Sequence, residues 1–112
     1  MSENGEDQLV GEWLSDPEDT GSIKKYGKVS MTFTEDGRLI YQIHSSGETK
    51  IMLLTYRTQN GMLITNQPSA PREDRTAFSI TQEGKLILVY GVDKCHYIRI
   101  HGSVARDDRK RT

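Results

Sequence analysis

Residues 28–34 alternate strictly: Val29, Met31 and Phe33 are apolar, and Ser30, Thr32 and Thr34 between them are polar. Successive side chains of a β-strand point to opposite faces, so a period of two marks a strand with one buried face. Leu39, Tyr41 and Ile43 repeat the pattern in 39–44. The runs "IMLL" at 51–54 and "LILVY" at 86–90 are instead apolar at every position. Such strands need cover on their outer side or a subunit contact. Together with 62–67, 75–81, 95–100 and "LVGEWLS" at 9–15, the pattern predicts about eight strands.

Turn residues separate these runs: "EDG" at 35–37, "SSGE" at 45–48, "QNG" at 59–61, "QEG" at 82–84 and "GVDK" at 91–94. Asn60-Gly61 is the strongest signal, because both residues accept the positive φ that a type I′ hairpin demands. Tight turns between consecutive strands give an up-and-down antiparallel meander, and closing it into a barrel removes its exposed edges. The expected fold class is therefore all-β: a meander of about eight strands forming a closed or nearly closed barrel. A barrel of that size is either filled by side chains or holds one small ligand.

The segment "SDPEDTGSIKKYG" at 15–27 breaks the rhythm. Ser15 followed by Glu18, with Pro17 early in the turn, reads as a capping box, and Gly27 would end a second short turn begun at Ser22. A short helical segment after strand one is expected, with Gly21 arguing against one long helix. The stretch "NQPSAPREDR" at 66–75 is the one connection that is not tight. Pro68 and Pro71 lack amide protons and fix φ, so this segment leaves the sheet as a stiff loop. Gln67, Pro68, Pro71 and Arg72 are its candidate rim residues, since a preset loop loses less entropy on binding. The charges that follow, Arg72-Glu73-Asp74-Arg75, would pair internally or meet those of a partner.

A chain of 112 residues is the size of a single domain. The ends, 1–7 and 102–112, lack apolar periodicity and read as charged, disordered tails around a folded unit at 8–101. With 15 Lys+Arg against 16 Asp+Glu, no electrostatic footprint for nucleic acid is present. The lone Cys95 excludes an internal disulfide, and no apolar run suits a signal peptide or membrane span, so a cytoplasmic address without a membrane partner is the expectation.

Gly11-Glu12-Trp13 opens the first strand, and Arg99 lies in the last. In this the chain resembles the calycin superfamily, the lipocalins and fatty-acid-binding proteins, whose first strand carries Gly-x-Trp and whose last strand carries a basic residue packed over that Trp. The resemblance implies a compact lipocalin-like barrel with Gly11, Trp13 and Arg99 as a structural plug and a small apolar or amphipathic ligand inside. A second role for Arg99 stays open: Tyr97 lies two residues away on the same face, and the pair would receive a ligand carboxylate, as an Arg and a Tyr do in fatty-acid-binding proteins.

Tyr41, Tyr56 and Tyr90 fall near strand ends, as do the polar Arg57 and Asn66; facing inward, they would give a cavity its directional hydrogen-bonding groups. His44, His96 and His101 form no metal-ligand spacing, and Cys95 and His96, as adjacent strand residues, face opposite sides. No catalytic residue, metal or cofactor is predicted, and an enzyme on this barrel is the weakest reading. Two stronger readings stand: binding of a small amphipathic molecule in the interior, or a filled barrel that associates with a protein partner or as a homodimer through its doubly apolar strands or stiff loop.

Overall fold

A computed structural model describes residues 8–69 and 71–100; the expected tails lie outside these residues. Eight strands run in chain order: β1 (Gly11–Ser15), β2 (Lys28–Phe33), β3 (Arg38–Ser45), β4 (Glu48–Gln59), β5 (Met62–Asn66), β6 (Glu73–Ile80), β7 (Leu86–Tyr90) and β8 (Asp93–Arg99). One helix, α1 (Thr20–Tyr26), separates β1 from β2. Each strand pairs antiparallel with the next, and β8 pairs back onto β1, so the barrel is closed as the meander predicts.

The register turns the sequence alternation into an inside and an outside. Trp13 stands between Met31 of β2 and Arg99 of β8, Met31 faces Tyr41 of β3, and Tyr41 faces Met52 of β4. Val29, Met31, Phe33, Leu39, Leu63, Leu86, Leu88 and Cys95 are buried on the inner face. The Asn60-Gly61 hairpin has positive φ at both residues, 52° and 78°, as its type demands.

One end of the barrel is shut by the residues that prompted the family resemblance. The Trp13 ring is fully buried, and its Nε1 donates to the Leu9 carbonyl at 2.9 Å. The Arg99 guanidinium lies 4.2 Å from the Trp13 ring centre and donates to the carbonyls of Val10, at 2.8 Å, and Gln8. Gly11 has φ +125°, and a Cβ there would stand 2.7 Å from Arg99 Nη1, so backbone conformation and space both demand glycine. Next to this plug, Phe33 and Tyr56 meet edge to face at 4.9 Å, and the Tyr56 hydroxyl donates to the Thr34 carbonyl at 2.7 Å. β1 begins at Gly11 rather than residue 9: residues 8–9 are helical, and Leu9 drops its side chain into the core.

The helix is short and ends at Gly27, as expected, and only its N-terminal cap differs. It is one helix that runs through Gly21 and ends at Gly27, whose N–H bonds the Ile23 carbonyl. Its cap is Asp19, which accepts from Ser22 N at 3.3 Å and from Ser22 Oγ at 2.8 Å. Ser15, the expected cap, is buried and exchanges hydrogen bonds with Val29 N and O, fastening β1 to β2. Asp19 also accepts from the His96 backbone N–H and lies 2.9 Å from His96 Nδ1. Asp16 accepts from Lys85 Nζ at 2.8 Å, across β8. Two carboxylates therefore tie the segment before α1 to the far side of the barrel seam.

Of the two doubly apolar strands, β7 keeps Ile87 and Val89 half-buried, whereas β4 exposes its outer residues; β5 also carries an apolar outward residue. Ile64, flanked in register by Arg57 and Arg75, is only 3% exposed although it faces outward. Arg57 and Arg75 both reach Glu73, at 3.6 and 3.1 Å, and their stems cover it. Ile51 and Leu53 on β4 have no such cover and are 60% and 64% exposed.

Two outcomes follow from this packing. Trp13→Ala removes a fully buried ring and should cost about 3–5 kcal/mol in urea unfolding; a loss under about 1 kcal/mol would contradict the plug. Burial alone would raise the Asp19 carboxyl, but hydrogen bonds from His96 and Ser22 outweigh it and hold the group at about 2. The Lys85 hydrogen bond likewise lowers Asp16. Depressed carboxylates stabilise the fold above their ordinary value of 3.8 and lose that contribution as pH falls toward about 2. Tm should therefore drop through that window, and Asp19→Asn should lower Tm at neutral pH and flatten the drop.

The barrel interior as candidate functional site

Above the plug the barrel is not filled. A cavity of about 610 Å³ opens at the end that carries the β5–β6 loop and the β7–β8 turn. Its depth is apolar, with Met31, Leu39, Met52, Leu54, Leu63 and Leu88; its polar residues are Tyr41, Thr65, Gln67, Arg72, Asp74, Thr76 and Tyr90, with Arg75 at its border. The parity of the strands explains this set. Leu63 and Thr65 share the inner face of β5, and their register partners on β6 are Thr76 and Asp74.

Three tyrosines meet in the interior. β3 and β7 stand opposite each other in an eight-stranded ring, so Tyr41 and Tyr90 approach from facing walls. The hydroxyls of Tyr90 and Tyr97 are 3.4 Å apart, and the Tyr41 phenol lies close enough to Tyr90 to interact with it. Burial pushes all three phenols above their ordinary value, so each stays neutral. Tyr26 at the end of α1 packs on Tyr90 with ring centres 5.6 Å apart. Asp93 accepts from Tyr26, at 2.7 Å, and from Lys25, at 2.6 Å, which fastens the helix end to the rim.

The stiff loop borders the mouth. Gln67 and Arg72 line the cavity, while Pro68 and Pro71 are exposed. The Arg72 backbone N–H donates to Asn66 Oδ1 at 3.0 Å, which closes the loop at its neck, and Arg72 Nε lies 3.4 Å from Asp74 Oδ1. Helix α1 supplies no lining residue, so the loop, rather than a gap between loop and helix, frames the opening.

The candidate residues are therefore dispersed. Tyr41 and Tyr90 line the cavity, Tyr97 stands behind Tyr90, and Tyr56 lies at the plugged end. Arg57 and Asn66 do not face inward: each follows an inward residue, Tyr56 and Thr65, and strand alternation turns it outward. Tyr97 and Arg99 are not joined into one site, because Tyr97 bonds Tyr90 while Arg99 is engaged by Trp13 and backbone carbonyls. His44 lies near Ser30 and Thr49, and His96 pairs with Asp19 outside the barrel, while Cys95 is buried inside; His101 is outside the described residues. Among the described residues, no three His, Cys, Asp or Glu side chains cluster as metal ligands. Sequence reading missed Met52, Thr65, Asp74 and Thr76, although each keeps the parity of an inward neighbour.

No protein-family model, curated protein or solved structure matches this chain. The class defined by the fold is a closed eight-stranded up-and-down β-barrel with an interior cavity. Among the described residues, no helix is long and apolar enough to cross a membrane.

Proposed function

We propose that this barrel binds a small apolar or amphipathic molecule in its interior. The observation that carries the reading is the cavity of about 610 Å³, apolar in its depth and equipped with a few hydrogen-bonding groups. Protein interiors are close-packed, and a void this large forfeits dispersion contacts that a guest would restore. Its volume lies within the usual span of small-molecule sites, about 300–1,000 Å³. Apolar surface buried by the guest would contribute about 25 cal/mol per Å² before the cost of its lost freedom. The plug of Gly11, Trp13 and Arg99 supports a calycin-like relationship, in which one end is structural and the other receives ligand.

A second reading rests on Ile51 and Leu53, whose exposure on the outer face of β4 suits contact with a protein partner or a second copy. It does not compete for the same surface, since the cavity lies on the opposite face of that strand.

The test is binding of the neutral fluorescent probe N-phenylnaphthylamine to the full chain. One probe per chain should bind, and Met52→Trp, which places an indole in the cavity, should weaken binding at least about tenfold while the circular dichroism spectrum is retained. Unchanged affinity in a folded Met52→Trp protein would place the probe elsewhere and contradict the interior site.

A further inference from the structure

The cavity's charges limit which guest it can hold. Two cationic residues border it: Arg72, paired with Asp74 at 3.4 Å, and Arg75, whose side chain turns outward to Glu73 at 3.1 Å. Asp74 itself lines the cavity, and Glu73 is shared by Arg75 and Arg57, so an incoming carboxylate meets an anion already beside each bordering cation and must compete with it. Lys50 has the inward parity of Met52 but is exposed and does not line the cavity. Arg99, the cation that a carboxylate-binding barrel would use, is held at the plugged end over Trp13.

Apart from these charges, the cavity's polar groups are neutral. The hydroxyls of Tyr90 and Tyr97 are 3.4 Å apart and Tyr41 neighbours Tyr90, so this wall offers phenol O–H donors and oxygen lone pairs but no charge. An ionised head at this wall would be desolvated without a partner charge, which is costly, whereas a hydroxyl or carbonyl would find both donor and acceptor. Burial already raises these phenols, the response expected of a wall that disfavours anions.

Resting on the binding function proposed above, we infer that the guest is an uncharged amphiphile, with a hydroxyl or carbonyl group at Tyr41 and Tyr90 and an apolar remainder against Met52, Leu54 and Leu63. This is a selectivity opposite to that of a fatty-acid site: the acid is the disfavoured member of a matched pair. Cations fare no better, because Asp74 is occupied by Arg72 and the tyrosines offer no charge.

The experiment compares decanol, decanoate and decylamine at neutral pH by displacement of N-phenylnaphthylamine from the full chain, with direct calorimetry of each. Decanol should bind at least about tenfold more tightly than either charged analogue. Tyr90→Phe and, separately, Tyr41→Phe should each weaken decanol about five- to tenfold, with little effect on N-phenylnaphthylamine, which distinguishes a lost hydrogen bond from a disturbed fold. Decanoate binding as tightly as decanol, or decanol unaffected in both variants, would overturn the neutral-head assignment while leaving interior binding intact. If none of the three ligands displaces the probe or binds by calorimetry, the interior-binding function fails and this inference with it.

Discussion

The stacking of Arg99 over Trp13 closes one end of the barrel and joins its first strand to its last. β1 and β8 are brought together by main-chain pairing, but the guanidinium also gathers the carbonyls of Gln8 and Val10, the two residues that lead into β1. A cation-π contact at a half-buried site is worth about 0.5–2 kcal/mol, and hydrogen bonds to the charged donor add to it. Gly11 is there because the backbone is at φ +125° and because the arginine occupies the place a side chain would take. Closure at this end leaves the other free to be loosely packed, which is what an interior cavity requires.

The open end is held by a different kind of interaction. Helix α1 buries no residue completely and owes its position to polar ties: Asp19 to His96, Asp16 to Lys85, and Asp93 to Lys25 and Tyr26. Asp16 is the most enclosed of these and accepts from both Lys85 and the Glu18 backbone, so its charge is partnered where solvent cannot serve it. Tyr26 then carries the helix to Tyr90, one wall of the cavity. The neutral tyrosines and the internally paired mouth charges are two aspects of one environment, apolar within and with its cations engaged at its edge.

Much of this was legible in the sequence because a strand's inside and outside follow from a period of two. The eight runs and the tight turns gave the meander, and Val29, Met31 and Phe33 entered the core as their alternation required. The cavity wall was less legible, since proximity to a strand end does not decide which face a residue takes. Arg57 and Asn66 look like site residues by position but fail by parity, whereas Thr65 and Thr76 succeed by it. The helix cap was missed because Ser15 had a stronger claim elsewhere: its hydroxyl serves both the N–H and the carbonyl of Val29, a pairing between strands that local sequence does not announce. The meeting of Tyr41 with Tyr90 likewise depends on ring closure, which places β3 opposite β7.

Whether the guest lies inside the barrel or on its apolar outer stripe is decided by methyl NMR during titration with decanol. Interior binding should give saturable shifts of the Met52, Leu54, Leu63 and Leu88 methyls, with Ile40, Ile51 and Leu53 unmoved. Shifts confined to Ile51 and Leu53, with the interior methyls silent, would contradict it and assign the barrel's working surface to the outside of β4.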